Sequence, residues 1–206
     1  SGCAGNASRV LLANDSVFGP FVPLAPIFSR MERTGCDVWG MIESLAVIPH
    51  LQSWFVCFEC GSFHAGAVER VLLQDFSSMT REELIWHGEL GLSAAFRAAG
   101  LSSAAVWSEA DSLPGRMAKM NAMHSHWHQL LRSGRVPFVK TELVRDNPFH
   151  LSTVERWREN LPPGSAFRPE WIADYLKETP ARSGRTQANW KGRLIYNLVN
   201  RFSHIP

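Results

Sequence analysis

The stretch RVLLANDSVFGPF, Arg9 to Phe21, decides how the rest of the chain is read. Val10 to Ala13 is a short apolar run that predicts a buried strand. Asn14, Asp15 and Ser16 follow it directly, and a Gly19-Pro20 turn follows them. A carboxylate at the C-terminal edge of a buried strand lies where open α/β sheets bind ligands. There Asp15 could hold a hard divalent cation, Mg or Mn, that bridges a nucleotide diphosphate. Asn, Asp and Ser also bond their own backbone, so a plain turn is the competing reading.

Working outward, Leu24 to Met31 has helical spacing after the breakers Pro20, Pro23 and Pro26, and CDVWGM (Cys36–Met41) and WFVCF (Trp54–Phe58) are strand candidates. The clearest helix is TREELIWHGELGLSAAFRAAG, where Thr80 and Glu83 form a capping box and Gly100 supplies the stop. Gly88 and Gly91 inside it predict a break or a close approach by ligand or backbone. A strand at Ala104–Ser108, a helix over Met120–Arg132 and an extended run over Val136–Val144 come next. Ser152 and Thr153 cap a helix over Val154–Leu161, and Pro169 opens one through Leu176. The order predicts an α/β fold, a mixed sheet flanked by helices. Residues 1–178 form the expected body, and 179–206 a tail that leaves it.

The 206 residues are 45% hydrophobic and 19% charged, the make-up of a globular protein with ample core. The formal charge is only +2, too small a field for a nucleic-acid binder, so no nucleic-acid partner is expected. Residues 181–206 carry five cations and no carboxylate, leaving −3 on the remainder. Neither a spanning apolar run nor a leader pattern is evident, which predicts cytoplasmic residence. Trp190, Leu194, Ile195, Tyr196, Leu198, Val199 and Phe202 give the basic tail an apolar component of roughly helical spacing. The tail thus predicts peripheral contact with the inner face of the cytoplasmic membrane. A helix docked back on the body is the alternative.

Cys3, Cys36, Cys57 and Cys60 are too few for a disulfide framework and read as reduced thiols. The Cys57/Cys60 spacing lacks the second pair of a structural zinc site. Glu89, inside an apolar helix as HGELGLS, could act as a general base whose pKa is raised by desolvation; exposure on a polar face is the alternative. His124 and His128 are one helical turn apart with His126 between them, which admits a zinc reading without the HExxH pattern. Trp39 and Trp54 adjoin polar elements and are the two tryptophans expected to stack on sugar rings.

NDSVFGPF, CDVWGMIES, HLQSWFVCF, GELGLS and PFVKTELVRDNP, taken in order, resemble the rhamnan synthesis protein F family of bacterial polysaccharide glycosyltransferases. The resemblance runs from about Arg9 to Pro148. It implies a GT-A-like fold that inverts at the sugar carbon, moving a sugar from a nucleotide-diphosphate donor such as dTDP-rhamnose. The implied acceptor is a glycan or lipid-linked glycan of the bacterial surface. Under it Asn14, Asp15 and Ser16 carry metal and diphosphate, with Lys140 a phosphate partner. Asp37, Trp39, Gly40, Gln52, Ser53 and Glu142 line the cleft, and Glu89 is the base. Only eight residues precede Arg9, so the N-terminal nucleotide-binding half of such an enzyme is expected to be missing. A non-catalytic glycan-binding or scaffold module derived from such an enzyme is the alternative.

Overall fold

A computed structural model describes residues 7–182 and 188–202; Cys3 and Arg185 lie outside them. The strands are β1 (Arg9–Ala13), β2 (Val17–Phe18), β3 (Val38–Ser44), β4 (His50–Leu51), β5 (Phe55–Glu59), β6 (Ser103–Ser108) and β7 (Val139–Lys140). Strands and helices alternate along the chain, and the fold is mixed α/β. The chain divides into two compact units, residues 1–14 with 27–109 and residues 15–26 with 110–206. That division differs from the expected body and tail, because the segment after 179 belongs to the second unit.

The first unit is built on β3, whose VWGMIES run is buried on both faces, as an interior strand requires. β5 pairs antiparallel with β3 and carries β1 on its outer edge. β6 runs parallel to β3. Glu43 pairs with both Leu51 of β4 and Ser108 of β6, so those two strands lie on opposite edges of β3. β4 and β5 therefore share one edge as two parts of a single irregular strand. Between the pairs Glu43–Leu51 and Gly40–Val56, β3 uses two residues and its partner uses four. This bulge frees Gln52 and Ser53 from the regular ladder. One sheet face is covered by the helices Gly66–Leu72 and Gly91–Ala98, which pack Val68, Leu92 and Phe96 on Val38, Val56 and Phe58.

The helix expected from Thr80 forms with its capping box intact, Thr80 accepting from the Glu83 amide and Glu83 accepting from the Thr80 amide. It runs without interruption over residues 81–98, but Leu84–Leu90 is a π-helix. Gly88 lies within the π segment and Gly91 opens the following α-helical turn.

In the second unit β2 pairs antiparallel with β7, and short helices bury Phe18, Phe21, Trp127, Leu143, Leu151 and Ile172 together. The extended reading of Val136–Val144 holds only for Val139 and Lys140; Thr141–Asp146 is helical. Its charges explain why: Glu142 sits in the first turn and Arg145 in the last, matching the helix dipole, and Asn147 closes it at φ 37°. The helix expected over Met120–Arg132 breaks at His126, whose φ of −120° and ψ of 11° separate Ala122–Ser125 from Trp127–Arg132. Val154–Leu161 is likewise shortened, to Ser152–Glu155 and a 3-10 turn at Trp157–Asn160. The helix Trp190–Phe202 packs in this unit, with Tyr196 stacked on Phe149 at 3.7 Å between ring centres. Among the described residues no helix is long and apolar enough to cross a membrane.

Candidate functional site

Two irregularities of the first unit meet at Glu89. The π segment supplies the carboxylate and the strand bulge supplies its partners. Oε2 accepts from the Ser53 amide at 2.9 Å and the Ser53 hydroxyl at 2.7 Å, and Oε1 lies 3.2 Å from His50 Nε2. The other ring nitrogen of His50, Nδ1, is 2.7 Å from the Ile48 carbonyl. Both nitrogens thus face acceptors, and the doubly protonated imidazolium is the form that satisfies both.

Electrostatics follow from that geometry. Burial alone would raise the Glu89 pKa, as the sequence leads one to expect. The hydrogen bonds from His50 and Ser53 outweigh it and hold the carboxyl at about 2. Burial alone would lower the His50 pKa, and the same carboxylate reverses that, so His50 titrates above its ordinary 6.5. The expected raised pKa of Glu89 is therefore corrected to a lowered one, because its partners are donors placed at both oxygens.

Glu89, Ser53 and Asn14 form the polar edge of a pocket of about 400 Å³ whose remaining walls are apolar, among them Leu12, Val71, Phe76 and Leu92. Asn14 stands here because its amide donates to the Trp54 carbonyl at 3.2 Å, continuing the β1–β5 ladder by one residue. A carboxylate accepts about four hydrogen bonds. Glu89 uses three, leaving capacity for a ligand hydroxyl.

His50 and Glu109 are residues that sequence reasoning missed. Glu109 is fully buried just past β6, and its Oε2 accepts from the Leu45 amide at 2.8 Å and the Ser44 hydroxyl at 3.0 Å. Its charge adds to the field that raises the His50 pKa. The signal was present, since WSEAD places a carboxylate after a strand just as RVLLANDS does.

The other residues named from sequence are distributed as follows. Asp37 precedes β3 at the end opposite the Glu89 pocket, and accepts from the Ser102 hydroxyl at 2.6 Å and amide at 2.7 Å, tying the start of β3 to the start of β6. The Ser102 hydrogen bonds, hydroxyl first, lower its pKa. Trp39 is wholly buried against Phe28 and Phe55, and a Cβ on Gly40 would sit 3.3 Å from Leu51 and from the Phe55 carbonyl. Trp54 is also core, its indole N–H donating to Gln52 Oε1 at 2.9 Å, so the side chain of Gln52 serves that tryptophan. The expectation that Trp39 and Trp54 stack on sugar rings is thereby corrected, since both are buried in the core.

In the second unit Asp15, Ser16 and Lys140 come together around the β2–β7 pair. Thr141 donates its amide to the Ser16 carbonyl at 2.9 Å and its hydroxyl to the Asp15 carbonyl at 3.4 Å, and Lys140 pairs with Val17. Asp15 is exposed, and Glu142 is half-buried on the helix that follows Lys140. Among the described residues no three His, Cys, Asp or Glu side chains converge as a metal-ligand set. Asp15 could therefore supply one ligand, with the rest coming from the diphosphate. Burial, first among the causes, holds His126 and His128 at about 4, and among the described residues the histidine cluster gathers no set of three metal-ligating side chains.

The model for the rhamnan synthesis protein F family matches residues 6–155. The chain belongs to that family, which is tied by its name to polysaccharide synthesis. Two curated proteins named virulence protein VirA, both from Vibrio anguillarum, one of them strain ATCC 68554 / 775, are each 24% identical over 189 residues. The match covers 79% of this chain and 60% of theirs. No solved structure matches the chain.

Proposed function

We propose that the chain is the acceptor-binding and catalytic part of a GT-A-like glycosyltransferase of rhamnan-type polysaccharide synthesis. The observation that carries this reading is the Glu89 pocket, an apolar cavity with one preorganised carboxylate and hydroxyl at its edge. The apolar wall takes a sugar face, and Glu89 accepts a hydrogen bond from the acceptor hydroxyl with its remaining lone pair. A carboxylate with pKa about 2 cannot deprotonate a free alcohol. It can take the proton late, once the forming C–O bond has made that hydroxyl strongly acidic.

Donor binding falls to Asp15, Ser16 and Lys140. Lys140 neutralises phosphate charge, and Asp15 contributes an oxygen to Mg or Mn held with the diphosphate of a nucleotide sugar such as dTDP-rhamnose.

The test is sugar transfer by the whole protein carrying Glu89→Gln. Loss of at least a hundredfold in kcat, with KM for acceptor little changed, is expected. An active variant removes the base role. The low Glu89 pKa also favours a second reading, a glycan-binding module without catalysis. Calorimetry with dTDP, UDP and GDP in the presence of Mn separates the two, since absent nucleotide binding leaves only the module.

A further inference from the structure

The helix Trp190–Phe202 is docked the wrong way round for a soluble surface. Its inward side is polar: Asn200 donates to the Ser125 carbonyl at 3.0 Å and accepts from the Thr153 hydroxyl at 2.7 Å, and Asn197 donates to the Phe149 carbonyl at 3.1 Å. The Tyr196 hydroxyl accepts from the Asn121 amide at 3.3 Å. The outward side is apolar apart from Lys191 and Arg201. Trp190, Leu194, Ile195, Leu198 and Phe202 are 69%, 53%, 48%, 49% and 66% exposed. At 100° per residue these five fall within an arc of about 140°, and Lys191 and Arg201 lie inside the same arc.

Beside that arc is a pocket of about 380 Å³, shared with the helix Ser152–Glu155. Leu194, Leu198 and Phe202 form its apolar side, and Arg156, Arg201 and Ser152 its polar side. Arg156 is 3.6 Å from the exposed Glu159, a weak surface pair that leaves the guanidinium available. Arg201 lies over the Phe202 ring at 5.5 Å.

We propose that this surface binds an anionic phospholipid membrane. The exposed apolar arc enters the boundary of headgroups and acyl chains, with Trp190 and Phe202 anchoring its two ends. Arg156, Arg201 and Ser152 hold a lipid phosphate at the mouth of the pocket, and Lys191 faces the same anionic surface. Charge complementarity selects this occupant: the helix carries three cations, Lys191, Arg193 and Arg201, and no carboxylate. The proposal is independent of the transferase reading, since it uses no residue of the Glu89 pocket.

The test is flotation of the whole chain with vesicles of phosphatidylcholine alone and of phosphatidylcholine mixed with phosphatidylglycerol. Binding is expected only to the mixed vesicles and is weakened by salt. Arg156→Gln and Arg201→Gln each lower the partition about fivefold, and Leu198→Asp abolishes it. All three positions are on the surface, and an unchanged melting temperature confirms folding. Equal binding to neutral vesicles, or binding unaffected by these variants, overturns the proposal. So does a wild-type dimer that Leu198→Asp makes monomeric, because a second copy then covers the arc. Binding of inorganic phosphate in calorimetry without any vesicle binding assigns the pocket to free phosphate and likewise overturns it.

Discussion

Two helices legible in the sequence are both irregular in the fold, and each irregularity places titratable side chains, with opposite results. In the first unit the helix over residues 81–98 stays continuous through a π segment, and Glu89 meets an imidazolium and a serine. In the second unit the helix breaks at His126, and burial lowers the pKa of His126 and His128, with the Arg132 charge adding to it at His128. Ser125 donates its hydroxyl to the Asn121 carbonyl and its oxygen is left to accept from His126 Nδ1 at 2.8 Å, while His128 Nδ1 accepts from Asn200 at 3.2 Å. Burial pushes all three histidines toward neutrality. What separates His50 from them is the Glu89 carboxylate within its hydrogen-bonding reach.

The largest expected effect tests the neutral side of that contrast. His126 has a folded pKa of about 4 against an ordinary 6.5, so the unfolded chain takes up its proton first. Stability is fully present above pH 6.5 and falls as pH drops from 6.5 toward 4, by about 3 kcal/mol for His126. His128 acts in the same direction. Urea unfolding at pH 7 and pH 4.5 measures it. His126→Phe should lose markedly less stability than wild type between the two, and equal losses would show that His126 titrates normally.

Glu89→Gln attacks the charged side. The Glu89 pKa is depressed to about 2, so its contribution is present above its ordinary 4.5 and is lost as pH falls from there toward 2. The raised His50 pKa works the other way: its contribution is complete below 6.5 and is lost as pH rises through the folded value. The pair is therefore strongest between about pH 4.5 and 6.5. At pH 6 the variant should be less stable by about 3 kcal/mol. In proton-detected titration the His50 pKa should fall, since burial is then opposed only by the Ile48 carbonyl and the charge of Glu109. A His50 pKa that does not move would assign its shift to the Ile48 carbonyl and Glu109 instead.

How much of this the sequence carried depends on the range of the interaction involved. The capping box at Thr80 and Glu83 and the extended run of β1 are local patterns that the sequence carries, although β1 is a half-exposed edge strand where a buried one was expected. Glu89 was singled out, but the sign of its pKa shift was not legible: His50 and Ser53 lie 39 and 36 residues away, brought close by a strand bulge that no local propensity announces. TELVRD was misread as strand because PFV before it is extended, although its charge order matched a helix. Tyr196 and Val199 counted toward an apolar stripe in the sequence, whereas the fold leaves both partly buried and exposes Leu194 and Leu198.

A smaller effect comes from the start of the arm that carries Glu89. Thr80→Ala removes one half of the capping box and should cost about 1 kcal/mol. Because residues 81–98 form one uninterrupted helix, hydrogen exchange of the Ser53 amide should quicken in this variant if fraying reaches Glu89. An unchanged Ser53 amide would mean that the π segment is held by its own contacts alone.

The smallest expected effect, Gly88→Ala, asks whether the π segment exists for the fold or for the pocket. A Cβ at Gly88 would lie 3.5 Å from Phe76 Cε1, an ordinary contact, so nothing steric forbids alanine. Alanine in a helix interior is favoured over glycine, and the variant should be more stable by about 0.5 kcal/mol. Yet Gly88 lines the same pocket as Glu89 and Phe76, and the added methyl takes up space there. If the pocket holds a sugar, the variant should melt higher and bind acceptor more weakly, with KM rising while kcat is kept. Higher stability with unchanged KM would separate the pocket from the acceptor and leave the π segment as a means of delivering Glu89 to His50 and Ser53.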